Sequence, residues 1–595
     1  MNVLTLHRLA SCSLAALALI VLAPRTAAFV PVLNANNQRL HWELLSPKPA
    51  IHTNVVNPKT KAIRYFLAAD AYSTTNTANE LNAVRSSFQQ WESVTGTYLK
   101  FEEGGLFTGK ADINTTDNTN IVYWVKDGTL INGGRDDLRG ALGLSFQDFY
   151  DDYSLAEADI VLNGNVAWFT DATQPGSLDR FVEAVATHEI GHFIGLNHSP
   201  IGASTMMVRG SAGIGTQPGL SADEVAAARW IYPAANGGWG TINGKITVGG
   251  KAALGATIVA EDAKGCVVQA TVSNPDGSYV LGSLPAGTYN IRVCPLDPTT
   301  NRSTLLSGAD IDPFGSYLAA ETGFLPTENT PVTIGANETR TQNYNLGADS
   351  SALRITRIRP PQDTPNTFFS VNTAVLITQG RKNVFVGVYG PGLPTSGADL
   401  KITGDGITYG ETTYLAEAFI GINLVTIKIS VAADATPGMR SFVLRTGNKV
   451  AYANGFLEVL PAVMDWNFDG LDDLFQRRYF PLWTATAAAP GADPDQDGYT
   501  NLQEYLAGTD PSNPKSFPVK VTPFLIQGIA PGAAGITLRW QSVPNVQYRI
   551  LGRQGIDTSP WFEVGRKQAG AEALSEFVDG DRGQDKRFYR IEALP

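Results

Sequence analysis

Apolar residues recur along this chain with two different periods. Ile63-Arg64-Tyr65-Phe66-Leu67 carries the β-formers of a strand, and Asn76 to Thr95 follows with Leu81, Val84, Phe88, Trp91 and Val94 at helical spacing. Tyr98 to Glu102, Asn120 to Val125 and Ala158 to Leu162 read as three further short strands. A second helix is predicted from an N-cap at Ser177, with Phe181, Val182, Val185 and Ile194 as its apolar stripe. A third opens at Leu220-Ser221-Ala222-Asp223-Glu224-Val225, where Ser-x-x-Glu forms a capping box, and ends at Trp230-Ile231-Tyr232-Pro233. This alternation predicts an α/β (α+β) domain over 61–235, a normal domain size.

Beyond residue 238 the period shortens to that of strands. Gly240-Thr241-Ile242-Asn243-Gly244-Lys245-Ile246 opens a β-rich stretch over 238–347. Within it, Asn274-Pro275-Asp276-Gly277-Ser278-Tyr279-Val280-Leu281 and Leu284-Pro285-Ala286-Gly287-Thr288-Tyr289-Asn290-Ile291 each place a turn before a strand. Residues 351–460 read as a second sandwich, on Val384-Phe385-Val386-Gly387-Val388-Tyr389-Gly390 and Gly438-Met439-Arg440-Ser441-Phe442-Val443-Leu444. Ile536-Thr537-Leu538-Arg539-Trp540, Tyr548-Arg549-Ile550-Leu551 and Phe588-Tyr589-Arg590-Ile591 predict a third over 519–595. The expected fold class is multidomain: one α/β domain, then all-β sandwiches, with a small acidic segment at 461–518 between the last two.

Composition adds a compartment. At 595 residues the chain is too long for one core. A formal charge of −11 argues against nucleic acid or an anionic membrane as the main partner, since both need basic patches. Residues 1–28 read as a secretory signal peptide: His7 and Arg8 near its start, a short apolar core from Leu14 to Leu22, and Thr26-Ala27-Ala28 for cleavage. That run is short for a membrane span and no later stretch is apolar enough, so the mature chain is expected to be secreted and soluble. Residues 29–60, polar and rich in Asn and Pro, suit a pro-segment or an N-terminal arm. Cys12 would leave with the signal. Cys266 and Cys294 then remain, either as a disulfide, which an oxidising compartment permits, or as two buried thiols.

One stretch demands a chemical explanation. Six histidines occur in the whole chain, and three lie in Thr187-His188-Glu189-Ile190-Gly191-His192-Phe193-Ile194-Gly195-Leu196-Asn197-His198. Residues four apart share a helix face, so His188 and His192 can bind one ion together. Gly195 lets the chain leave the helix through a conformation most residues resist, which returns His198 as a third imidazole. Three neutral nitrogens with one open position suit a catalytic Zn2+, and Glu189 beside the first ligand suits its general base. A plain amphipathic helix explains neither the glutamate, nor the glycine, nor the third histidine.

The pattern H-E-x-x-H-x-x-G-x-x-H is the metzincin signature of zinc metallopeptidases. Ser199 after the third histidine makes the stretch similar to the matrixin branch, and Met206 in Ser204-Thr205-Met206-Met207-Val208 aligns with that family's turn methionine, a packing residue. Gly140-Ala141-Leu142-Gly143-Leu144-Ser145 resembles its substrate-aligning edge strand, and Ala158 to Asn163 the strand before the metal helix. The resemblance covers about residues 60–235 and implies an endopeptidase. In it, zinc lowers the pKa of a bound water to about 7, and Glu189 takes that proton and passes it to the leaving amine. Two departures stand out. No cysteine lies between 29 and 265 to silence the zinc, and beyond the motif only His41 and His52 remain for a second zinc. Carboxylates such as Asp151, Asp152 or Asp159 are candidates to hold calcium instead.

The remaining modules carry weaker resemblances. Residues 238–347 are similar to carboxypeptidase-regulatory-like, transthyretin-type sandwiches, 351–460 to immunoglobulin-like modules and 519–595 to fibronectin-like ones. In 461–518, Asp493, Asp495, Asp497, Tyr499, Asn501 and Glu504 occupy the ligand positions of a twelve-residue Ca2+ loop with Gly498 at its sixth place. Asp465, Asn467, Asp469, Leu471 and Asp473 repeat the pattern, with Gln476 where the closing glutamate would stand, so this loop is expected to bind more weakly. The pair resembles dockerin or thrombospondin type 3 repeats. The leading expectation is a secreted zinc endopeptidase acting on proteins or peptides, its β modules docking extracellular matrix or polysaccharide. The alternative is a non-catalytic adhesion or carbohydrate-binding protein with a vestigial peptidase domain.

Overall fold

The computed structural model describes residues 4–5 and 38–594, apart from 139, 171–179, 210–218, 236, 298–304, 307, 312–319, 321, 366–368, 464, 466–468, 484, 519–525, 533, 544–545, 554–560, 571–573 and 581–587. The signal predicted at 1–28 lies outside these except for Leu4–Thr5, which pair with Phe149 and Asp148. Among the described residues no helix is long and apolar enough to cross a membrane.

The chain begins as a mixed sheet against helices. Its strands are β1 (Val56–Asn57), β2 (Ala62–Ala68), β3 (Phe101–Phe107), β4 (Ile121–Val125), β5 (Gly143–Phe149) and β6 (Leu155–Asn163). β2 pairs in parallel with β3 and β4, and β4 with β6, whereas β5 lies antiparallel along the outside of β6. The parallel strands follow from the helical crossover α1 (Thr77–Glu92), which cannot join antiparallel neighbours tightly. Leu81, Val84, Phe88 and Trp91, the stripe expected of α1, are buried against α2 (Val182–Phe193). α3 (Ala222–Ile231) starts at the expected capping box, with Ser221 and Glu224 satisfying each other's backbone N–H groups.

Two departures have physical causes. Ser177 lies outside the described residues, and the N-cap of α2 is Phe181, with no side-chain cap. The helix is held there instead by Glu183 in its first turn, buried and paired with Arg477 (2.6 Å). The stretch before residue 60 is also less peripheral than its polarity suggests. Leu40, Trp42, Leu44, Val55 and Val56 are buried in the same core, and Trp42 Nε1 donates to the Phe193 carbonyl (2.9 Å).

Two sandwiches follow. The first packs a five-stranded sheet around Gly240–Val248 and Ser278–Leu284 against the four-stranded order Val267–Val272, Thr257–Glu261, Gly287–Cys294, Thr330–Ile334. Between its last two strands lies α4 (Gly308–Ile311). The second faces two four-stranded sheets over an apolar core of Val386, Val388, Ile427, Phe442 and Leu457. The expected disulfide is not formed: Cys266 and Cys294 are free and buried. Cys294 pairs with Thr257 at one end of its neighbouring strand, while Cys266 precedes Val267, the partner of Glu261 at the other end. Four residues of strand separate those ends, about 13 Å, beyond the reach of a disulfide.

The helix α5 (Asp473–Tyr479) ends the first compact unit, Met1–Ala488. The second unit, Ala489–Pro595, holds α6 (Asn501–Ala507) and two three-stranded sheets around Trp540, Tyr548 and Ile550. The division falls between the two acidic loops.

Candidate metal centre

The metal helix ends where its sequence says it should. Gly195 has φ +102°, and a Cβ there would run into the Leu40 carbonyl, so both backbone angle and contact require glycine. The turn it allows returns His198 to the helix face. His188, His192 and His198 offer ring nitrogens that all lie within 4.8 Å of one another.

The second nitrogen of each ring decides which atom faces the gap. His188 Nδ1 lies 2.7 Å from the Thr205 carbonyl, His192 Nδ1 2.8 Å from that of Leu196, and His198 Nδ1 2.8 Å from that of Asp310. A carbonyl only accepts, so each Nδ1 carries the proton and each Nε2 keeps its lone pair. Burial holds all three imidazoles below the usual histidine pKa, His192 at about 3 with the neighbouring His188 adding to the effect. The rings are therefore neutral ligands at neutral pH. Glu189 is 4 % exposed, its Oε2 has no hydrogen-bond partner, and burial raises its carboxyl to about 8. A buried carboxylate oxygen without a partner is costly unless something belongs opposite it.

Two elements frame this gap. β5 passes beside Glu189 at Gly143, where a Cβ would meet Glu189 Oε1 at 2.7 Å, and its Gln147 Nε2 donates to the His192 carbonyl (3.0 Å). Beneath it, Met206 packs on Gly191, which has no side chain to obstruct it, and Met206 is 2 % exposed. Glu224 fixes that turn by accepting the N–H groups of Thr205 (3.2 Å) and Met206 (3.1 Å) while capping its own helix. The capping box read from the sequence thus also holds the methionine turn. Ser199 Oγ donates to Asp223 (2.7 Å), which ties the residue after the third histidine to α3.

Residues 57–233 match the matrixin family model. The matrixin match implies a catalytic zinc and supports a metalloprotease hydrolase, and its limits enclose the motif, the methionine turn and α3. No curated protein matches the chain. Among solved structures it is similar to the major pilin subunit BcpA of Bacillus cereus, at 12% identity and TM-score 0.14, covering 38% of this chain and 69% of that one. It is similar to the full-length major pilin SpaD of Corynebacterium diphtheriae, at 7% identity and TM-score 0.15, covering 60% and 86%. A third is Klebsiella pneumoniae 5-hydroxyisourate hydrolase, at 18% identity and TM-score 0.11, covering 18% and 87%. Scores this low tie the function of this chain to none of them.

The other candidates fall into three groups. Asp493, Asp495 and Asp497 also bring ligand atoms within 4.8 Å of one another, in the turn where Gly498 has φ +95°. Glu504 is fully buried, and neither of its carboxylate oxygens has a hydrogen-bond partner. Asn501 is buried beside it on α6, and Tyr499 N–H donates to Asp497 (2.9 Å). In the first loop Asp465 accepts the N–H groups of Asp469 and Gly470, and Asp469 accepts from Leu471 N–H and Gln476 Nε2. Asp473 is buried, and Asn467 lies outside the described residues. Asp152 and Asp159 are occupied by protein donors: Lys48 and Ser154 for the first, the N–H groups of Asn114 and Ile121 for the second. Sequence patterns missed Asp310, Gln147 and Trp42. Each contacts α2 or the turn after it from tens to more than a hundred residues away, and local spacing carries no trace of such contacts.

Proposed function

We propose that the 61–235 domain is a zinc-dependent endopeptidase that hydrolyses peptide bonds of extracellular proteins. The observation that carries this reading is the set of three imidazoles whose Nδ1–H groups are all committed to carbonyls, so that three Nε2 lone pairs face one point beside an unpartnered glutamate. A zinc ion bound there would supply a Lewis acid for the scissile carbonyl and an acidified water as nucleophile. His188, His192 and His198 would hold it as neutral ligands. Glu189 lies beside that point, and its role is to take a proton at Oε2 and deliver it to the departing amine. From Gly143 to Gln147, short of Asp148 and Phe149 where Leu4–Thr5 pair, the outer edge of β5 offers backbone groups along which an extended peptide can lie beside Glu189.

The 493–504 loop is proposed as a Ca2+ site. Hard carboxylate oxygens from Asp493, Asp495 and Asp497, with both oxygens of buried Glu504, match what calcium requires, and Tyr499 and Asn501 complete the loop's ligand positions. The 465–473 loop is proposed as the weaker partner, since Gln476 donates to Asp469 where a bidentate glutamate would close the shell.

The test is zinc stoichiometry on the purified chain together with cleavage of a protein substrate, before and after a chelator and after zinc is restored. One tightly held zinc per chain and chelator-sensitive, zinc-restored cleavage are expected. A chain that binds zinc but cleaves nothing would favour the vestigial, adhesive alternative.

A further inference from the structure

The three metal-facing imidazoles are not all fixed by the same part of the chain. Thr205 and Leu196, the acceptors for His188 and His192, lie inside the matrixin match at 57–233. Asp310, the acceptor for His198, lies outside it, in α4 of the first sandwich. That helix is anchored from both sides. Arg209 Nη2 donates to Asp310 Oδ2 (2.8 Å), with both side chains largely buried, and Arg209 Nη1 donates to the Leu305 carbonyl. Asp297 Oδ2 accepts the N–H groups of Leu305 (3.0 Å) and Leu306 (3.2 Å), which closes the segment leading into α4. Leu305, Leu306 and Ile311 are buried in one apolar cluster with Met207 of the methionine turn.

The same seam is tied at two further points. Asp223 accepts Ser199 Oγ–H with one oxygen and the N–H of Ala270, a sandwich strand residue, with the other (3.0 Å). Gly202 N–H donates to the Asn454 carbonyl of the second sandwich (3.0 Å). The chain from His198 to Arg209 is therefore enclosed by the β modules.

We propose that the first sandwich completes the metal centre: the Asp310 carbonyl orients His198, and the Arg209–Asp310 ion pair holds that carbonyl in place. Both are positioning residues. The inference rests on the reading of the three histidines as a zinc site. Its chemistry is that of a ligand's outer hydrogen bond, whose loss costs about 10–100-fold in metal affinity.

The experiment uses the full chain and two readouts, zinc affinity by competition with a chromogenic chelator and the visible spectrum of the Co2+-loaded protein. Arg209→Gln and Asp310→Ala are each expected to weaken zinc binding about 10-fold or more and to alter the Co2+ bands. The double variant should be no weaker than either single one, and Arg209→Lys, which keeps the charge, should recover most of the affinity. Arg445→Gln breaks the exposed ion pair with Glu328 between the two sandwiches and should leave both readouts unchanged. Wild-type affinity in Arg209→Gln and Asp310→Ala overturns the inference while leaving the zinc site intact. Equal losses in Arg445→Gln also overturn it, because general loosening would then suffice. Should the first two variants misfold by circular dichroism, the Lys variant decides: no recovery contradicts the ion-pair role. Absence of zinc binding in the wild type would instead defeat the metal-site reading itself.

Discussion

At the scale of residues, one device is used three times: a half-buried imidazole donates from Nδ1 to a backbone carbonyl and so presents Nε2. Carbonyls suit this role because they cannot donate, which leaves one tautomer. Gly195 is the conformational counterpart. Gly195→Ala should destabilise the domain by about 3 kcal/mol, since its φ is positive and its Cβ would strike Leu40. A melting temperature within a degree of wild type would contradict this. Asp159 gives a pH prediction. Burial raises its carboxyl to about 7, above the ordinary aspartate value, so the folded state holds its proton more tightly than the unfolded state. The stability this contributes is full below about pH 4 and is lost as pH rises through 7. Asp159→Asn resembles the protonated acid and lacks that slope. Melting curves should therefore show the variant gaining on wild type from pH 5 to pH 8.5; the opposite trend would contradict the assignment. These residue-scale features were unevenly legible. The motif named the three imidazoles that the structure brings together, because its spacing is local. The carbonyls opposite them carry no sequence signature at all.

At the scale of elements, periodicity located α1, α2, α3 and the four strands it predicts over 61–235, the family resemblance added the edge strand β5, and the ends were missed. Tyr98 to Glu102 predicts a strand that in fact runs Phe101–Phe107: its pairing with β2 skips Gly104 at a bulge and resumes at Gly105, two glycines that alternation alone disfavours. The start of α2 was illegible for another reason. Its first turn is held by Arg477 and by Trp483 Nε1 (3.0 Å) on Glu183, contacts spanning about half the chain, in place of a local cap. The edge strand β5 is where element geometry meets chemistry. A side chain at Gly143 would displace Glu189, so Gly143→Val should lower kcat at least about 100-fold, the scale of a lost general base, with zinc content unchanged. Undiminished turnover would show that β5 does not constrain Glu189.

At the scale of the whole molecule, the sequence announced sandwiches as separate modules, and strand alternation sufficed for that. It did not announce that the first sandwich reaches the third histidine, nor that Arg292 and Glu261 form a fully buried ion pair (2.7 Å) where the two sandwiches meet at Asn454 and Ser441. Cores are written in local patterns; seams between cores are written in single residues far apart. The proposed Ca2+ loop belongs at this scale too. Glu504→Ala should weaken Ca2+ binding by at least about 10-fold in calorimetric titration of the full chain, with zinc content unaffected. Unchanged calcium affinity would remove Glu504 from the site.

Glu189 and three neutral imidazoles are proposed to form a working zinc peptidase centre. Glu189→Gln, with zinc content and peptide cleavage measured on the same preparation, is the decisive variant. One zinc per chain is expected in both proteins, with at least about a 100-fold lower kcat in the variant. Equal cleavage by wild type and variant, with zinc bound in both, would contradict the proposal.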